Sequence, residues 1–263
     1  MGQKSNLYTL RKSKVASNLL TNNSKEFIYG LKFLTFFNSL FSNKNVIMVQ
    51  KDLNFEANKL FLNISLFFQT SKLLNFQKNL FSDNVKQENV NLSYLFPLIK
   101  NHFSLLNNNF IQVSFTNLNA LINKKEVALL YYHLRRFSTP LFSRRFNLFA
   151  DFLKLAALFS KKQTSIKPIL FLIGQIFKSL PKKKHNIFLI FLKVFFEIFI
   201  KNKTILGVKV LIKGRIKGKP RSNTVSIVKG LTPIQSISKN IEYSKLNVYT
   251  LNGAFGFKLW VYR

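Results

Sequence analysis

The sequence predicts an α+β protein whose last third folds as two helices packed on a four-stranded sheet. Two apolar stretches of helical length, about Lys167–Leu180 and Asn186–Lys201, are parted by Pro181 and the basic run Lys182-Lys183-Lys184-His185. After Gly207 the apolar period shortens to two, with Val208, Val210 and Ile212 alternating against Lys209 and Lys213. Asn252-Gly253 then supplies a strong hairpin signal before the alternating run Phe255–Tyr262. Helices followed by strands in one short stretch specify layers around a single core.

The other C-terminal strands follow from the same reading. Gly214-Arg215-Ile216-Lys217-Gly218 is a turn, Thr224–Val228 a second strand closed by Lys229-Gly230, and Ser236–Thr250 holds a third. Ahead of this domain, residues 1–25 form a basic arm in which Lys4, Arg11, Lys12 and Lys14 suit phosphate contact. Ile28, Leu31, Leu34 and Phe41 make 27–41 a helix, and Val46–Val49 is a short strand. Leu53–Phe81 reads as helix interrupted by Asn and Gln, and the Asn-rich stretch Ser82–Asn109 as irregular. Ile111, Val113 and Phe115 alternate with Gln112, Ser114 and Thr116, the period of a half-buried strand, and Lys125–Arg136 returns to helix. Arg135, Arg136, Arg144 and Arg145 bracket Pro140 in an arginine-dense corner that opens a basic linker over 136–165.

Charge narrows the function. Across 263 residues, 41 Lys and Arg stand against 9 Asp and Glu, a net charge of +32. A compact body with that excess repels itself unless a polyanion neutralises it, and the cations run from Lys4 to Arg263 rather than forming one tail. With 47% hydrophobic residues the chain can build a core. It has no cysteine, which removes disulfides, thiolate metal sites and thiol nucleophiles. The 30 Phe, with abundant Asn, Lys and Ile, use A- and T-rich codons, as expected of an organellar genome.

No secretory signal is expected at Met1-Gly2-Gln3-Lys4, and Asn6 stands where a myristoylation motif needs Ser or Thr. The longest apolar run, Ile187–Ile200, contains Lys193 and Glu197, opposite charges at i,i+4 on one helix face. It is shorter than the about 20 apolar residues a bilayer span needs, so a buried helix is expected rather than membrane insertion. The competing reading is a basic membrane-associated organellar protein with Phe-rich interfacial helices.

The order of residues in the C-terminal third resembles a known family. Gly253-Ala254-Phe255-Gly256-Phe257-Lys258-Leu259-Trp260-Val261-Tyr262 resembles the closing strand of the third small-subunit ribosomal protein. That family ends in a Gly-x-x-Gly-apolar-Lys-apolar-Trp-apolar-aromatic signature. Gly207-Val208-Lys209-Val210 through Gly214-Arg215-Ile216-x-Gly218 is similar to its strand and Gly-Arg-Leu-x-Gly turn. Arg221 falls near the family's next arginine, and Ile241-Glu242-Tyr243 resembles its Ile-Asp-Tyr. Met1-Gly2-Gln3-Lys4, Asn6 and Leu10-Arg11 are similar to its opening.

This resemblance implies a KH-type RNA-binding domain over 26–135 ahead of the C-terminal α+β ribosomal domain at 166–263. It further implies a non-enzymatic constituent of a mitochondrial, organelle-encoded small ribosomal subunit, with the plastid as alternative. Its partners are small-subunit rRNA in the head, messenger RNA in passing and neighbouring small-subunit proteins, with no cofactor or small-molecule substrate. A KH domain clamps the nucleic-acid backbone with a Gly-x-x-Gly loop, yet no glycine stands between Gly30 and Gly174, so a degenerate KH-like domain is expected.

The candidate rRNA contacts are Lys4, Arg11, Lys12, Lys14, Arg135, Arg136, Arg144, Arg145, Lys213, Arg215, Lys217, Lys219, Arg221 and Lys258. Glycines around Arg215 let backbone amides approach phosphates, and guanidinium groups suit bidentate phosphate contact. Lys182, Lys183 and Lys184 lie where bacterial members of the family carry an arginine-rich segment beside incoming messenger RNA. Trp260 reads as strand core more readily than as a base-stacking platform. His102, His133 and His185 lack ligand spacing and the nine acids never pair closely, so neither a metal site nor a catalytic dyad is expected.

Overall fold

The computed structural model describes residues 35, 37, 46–56, 59–69, 110–142, 146–218, 223–236 and 238–263. It divides into two compact units with the boundary between Lys124 and Lys125. The expected arm at 1–25, the irregular stretch 82–109 and nearly all of the helix at 27–41 lie outside the described residues.

The first unit is built on a three-stranded sheet in the order β1-β2-β3. Strands β1 (Val46–Glu56) and β2 (Lys59–Phe68) pair antiparallel, and β3 (Phe110–Asn117) lies parallel to β2. A mixed sheet of this kind is consistent with a KH-like unit. The helix expected over Leu53–Phe81 is corrected here: Leu53–Glu56 and Lys59–Phe68 are strand, and 70–81 lie outside the described residues. The Asn and Ser that interrupt a helical pattern form the polar side of a ladder. Asn63 lies opposite Ser114, whose hydroxyl donates to the Asn63 side-chain oxygen, and Thr116 donates to Ser65 at 2.9 Å. On the other face Ile64 and Leu66 are fully buried. A short apolar run fits either period locally, and pairing with β1 on one side and β3 on the other decides it.

The second unit begins with α1 (Lys124–Leu134), a single turn at Arg135–Phe137, and α2 (Ser138–Phe142). Three longer helices follow: α3 (Phe146–Ser160), α4 (Ile166–Lys178) and α5 (His185–Lys201). Where a basic linker is expected over 136–165, the chain forms α2 and α3. Phe149, Phe152, Ala156 and Phe159 recur at helical spacing in α3 and all are buried, a period that the flanking arginines mask.

Four antiparallel strands complete the unit: β4 (Gly207–Lys213), β5 (Thr224–Gly230), β6 (Ile241–Thr250) and β7 (Gly253–Tyr262), in the order β5-β4-β7-β6. The helices and strands fall where the sequence places them. Val208, Val210 and Ile212 of β4 stand opposite Val261, Leu259 and Phe257 of β7, and all six are buried beneath the helices. Helix α4 crosses β6 so closely that a Cβ on Gly174 would stand 2.4 Å from Leu246.

The core between the layers is rich in phenylalanine alongside Leu, Ile and Val. Phe195 packs against Phe152 at 4.7 Å and Phe199 at 4.9 Å, and Phe177 meets Phe255 and Phe257 edge-on at 4.8 and 5.2 Å. Such pairs add to the burial of their large apolar area. The apolar run Ile187–Ile200 therefore lies in α5 with Phe188, Phe191, Phe195, Phe196 and Phe199 buried. Among the described residues no helix is long and apolar enough to cross a membrane. Glu197 turns to Lys229 of β5 rather than to Lys193 four residues back.

One clasp ties the helical layer to the sheet. The Arg263 guanidinium lies 4.2 Å over the Phe159 ring, donates to the Thr164 carbonyl at 3.1 Å and pairs with Glu242 at 3.3 Å. The other Glu242 oxygen accepts the Ile166 N–H at 3.2 Å, satisfying a donor at the α4 N-terminus.

Candidate nucleic-acid interface

The basic residues between α4 and α5 and those after β4 are distant in sequence but adjacent in the fold. Pro181 stops α4, and Lys182–Lys184 make one tight turn whose last N–H donates to the Pro181 carbonyl at 3.0 Å. Lys182 and Lys183 are exposed and Lys184 is half-buried. Against this turn packs a second one, Ile216–Gly218.

The second turn follows from its glycines. Gly214 has φ +145°, and a Cβ there would lie 2.5 Å from the Phe255 ring, so only glycine fits. Ile216 points into the core while Arg215 and Lys217 remain exposed, and the Arg215 Nε donates to the Gly218 carbonyl at 3.4 Å. Lys217 itself sits in the left-handed region at φ 58°.

His185 fastens the two turns together. It is buried at the start of α5, with its ring 4.7 Å from Phe177 and 6.0 Å from Phe255. Its Nδ1 accepts the backbone N–H of Lys217 at 3.2 Å, which requires the neutral ring. Burial, and then the charge of Lys182, hold its pKa below the ordinary 6.5. The sequence offers His185 only as a histidine without ligand spacing; its fastening role comes from a contact across 32 residues.

The result is one corner bearing Lys182, Lys183, Lys184, Arg215 and Lys217. Lys213 is exposed at the end of β4, just before this corner, whereas Lys258 is exposed in the middle of β7. Arg135 and Arg136 occupy the turn after α1, lying over the rings of Tyr132 at 5.0 Å and Phe137 at 4.8 Å. Phe137 is in turn packed on Phe191 of α5 at 5.5 Å, which fixes that turn to the helical layer. Lys4, Arg11, Lys12, Lys14, Arg144, Arg145, Lys219 and Arg221 lie outside the described residues.

Trp260, read from sequence as core, is instead half-buried on the sheet face away from the helices, 5.3 Å from Tyr243. The alternation is the reason: buried positions in β7 are 255, 257, 259 and 261, and the tryptophan falls on the even face. No group of His, Asp and Glu able to hold a metal ion occurs among the described residues.

Cationic turns on an α+β scaffold form a surface suited to a polyanion, and comparison with known proteins adds a likeness in sequence. The chain is 40% identical over 62 residues to small ribosomal subunit protein uS3c of Triticum aestivum, covering 24% of this chain and 26% of that protein. The same protein from Helicosporidium sp. is 39% identical over 57 residues, 22% of this chain and 24% of the relative. That from Chlamydomonas moewusii is 31% identical over 67 residues, 26% of this chain and 8% of the relative. Through these stretches the chain is similar to uS3 proteins of the small ribosomal subunit. It spans about a quarter of the length of the first two relatives. No family model matches it.

Proposed function

We propose that this chain is a non-enzymatic structural constituent of an organellar small ribosomal subunit, binding rRNA in the head and bordering the path by which messenger RNA enters. The relatives are plastid-type proteins, so a plastid ribosome fits better than the mitochondrial one expected from sequence. The observation that carries the reading is the corner at His185, where five cations from two distant segments share one surface. Their clustering is unfavourable in isolation and becomes favourable when condensed counterions on RNA are displaced.

In this reading Lys182, Lys183 and Lys184 face the messenger. Lys213, Arg215, Lys217 and Lys258 contact rRNA, together with Arg135, Arg136, Arg144 and Arg145. Lys219, Arg221 and the arm residues Lys4, Arg11, Lys12 and Lys14 extend the same contact. Neighbouring small-subunit proteins complete the partners. Recognition is electrostatic and shape-based, since a Gly-x-x-Gly clamp is missing from 26–135, where Gly30 is the sole glycine.

Co-sedimentation tests the assignment. The tagged chain is expected to travel with small subunits through a sucrose gradient and to leave membranes on carbonate extraction. Retention in the membrane pellet with none in the subunit peak refutes it.

A further inference from the structure

The C-terminal sheet has one face beneath the helices and one that they leave open. Register fixes the open face. Lys209, Trp260 and Tyr243 stand side by side across β4, β7 and β6, and the next outward row is Leu211, Lys258 and Lys245. Lys213 lies one row beyond. Lys213, Lys245 and Lys258 are exposed, while Lys209, Tyr243 and Trp260 are half-exposed.

Two features of this face are unfavourable for the isolated fold. Lys245 and Lys258 are directly opposite on adjacent antiparallel strands, where like charges repel. No outward position of the four strands carries an acid to relieve them: Glu242 is on the helix face with Arg263, and Glu197 belongs to α5. Between the lysines, the Tyr243 and Trp260 rings lie tilted at 38° and 5.3 Å apart, with the Lys209 ammonium 5.9 Å from the indole centroid. Aromatic rings half-exposed among lysines on an open sheet fit unpaired nucleotides, whose bases stack while their phosphates meet the cations.

We infer that the outward face of β4, β7 and β6 is an RNA-docking surface distinct from the corner at His185. It takes a single-stranded RNA segment with a base on the Tyr243–Trp260 pair and phosphates on Lys209, Lys213, Lys245 and Lys258. This rests on the RNA-binding reading above and adds a stacking mode to it. An acidic protein partner would satisfy the lysines but leave the aromatic pair without a role.

The chain contains one tryptophan, so its fluorescence reports this face alone. The full-length chain is titrated with a labelled oligoadenylate RNA, with inorganic polyphosphate and with polyglutamate, reading label anisotropy and Trp260 emission. Oligoadenylate is expected to bind and quench the emission, whereas the two base-free polyanions leave it unquenched. Tyr243→Ala and Trp260→Ala weaken RNA binding about tenfold, and Trp260→Phe restores most of it. Lys245→Glu with Lys258→Glu lowers affinity and lessens the quench while leaving the melting temperature unchanged or higher. RNA that binds without altering the emission overturns the docking face and leaves the corner standing. An equal response to polyglutamate assigns the face to an acidic chain and overturns it too. Absence of RNA binding at low salt refutes this inference together with the reading beneath it.

Discussion

The two faces of the C-terminal sheet divide the chain's charge and apolar surface unequally. Beneath the helices, phenylalanines fill the space between layers, and the acids Glu197 and Glu242 are each paired with a cation, Lys229 and Arg263. On the other side the strands present four lysines and no acid. The same four strands make both faces, so the contrast arises from the alternation of side chains rather than from any difference in backbone. The helix side pairs its acids with cations, whereas the outward side and the neighbouring basic corner carry charge that no acid among the described residues neutralises. Substitutions on the first should move stability, and those on the second should move affinity.

The largest expected effect breaks the helix side. Phe195 is fully buried among Phe152, Phe191, Phe196 and Phe199. Phe195→Ala should cost about 3–5 kcal/mol in urea unfolding, while RNA affinity per folded molecule stays unchanged. If affinity falls in parallel, the two roles are not separable.

Next in size, Lys182→Ala, Lys183→Ala and Lys184→Ala together should leave the unfolding midpoint in place. They should reduce the slope of log affinity against log salt by about 2, the expectation for three lost phosphate contacts on single-stranded RNA. The same variant should slow translation of hairpin-containing messages, and an unchanged rate would remove the messenger-facing role.

A smaller effect sharpens the boundary between the faces, where His185 belongs to the core by packing and to the corner by its bond to Lys217. Its pKa is depressed in the folded chain, so the unfolded chain takes up the proton first as pH falls. Stability from this group is fully present above about pH 6.5 and declines as pH drops toward the folded value. Melting temperature should fall between pH 7.5 and 5.5, and His185→Phe should flatten that dependence. An identical pH profile in the variant assigns the effect elsewhere.

The smallest effect concerns Glu197 and Lys229, whose side chains are 38% and 37% exposed. The hydrogen bond from Lys229 lowers the Glu197 pKa, but solvent screens so open a pair. Glu197→Gln should therefore cost under about 0.5 kcal/mol by thermal unfolding.

The sequence was a better guide to one unit than to the other, and for physical reasons. In the C-terminal unit each element carries its own stop signal: Pro181 after α4, Gly214 and Gly218 around the turn, Asn252-Gly253 before β7. Those signals are local, so the element order could be read directly. The strand β2 has no such punctuation; it pairs with its neighbour β1, and its second ladder partner, β3, arrives more than forty residues later. Helix α3 was hidden by the arginines beside it, although Phe149, Phe152, Ala156 and Phe159 already had helical spacing. At the interface, the residue types Lys182–Lys184 and Arg215 were evident, but their adjacency was not. His185 looked inert because nothing in its neighbourhood along the chain mentions Lys217. Trp260 departs from the general preference for buried tryptophan because its exposure follows from the parity of β7, whose buried positions are 255, 257, 259 and 261.

The strand order β5-β4-β7-β6 also sets a timetable for folding. The hairpins β4–β5 and β6–β7 each close over a short loop, but the central seam between β4 and β7 must wait for both. Long-range pairings form slowly because loop-closure entropy opposes them. During that wait the phenylalanine faces of α3, α4 and α5 lack their sheet, a condition that favours aggregation. A net charge of +32 counteracts it, since partly folded chains repel one another before their apolar surfaces can meet. The same cations would thus keep partly folded chains apart during assembly.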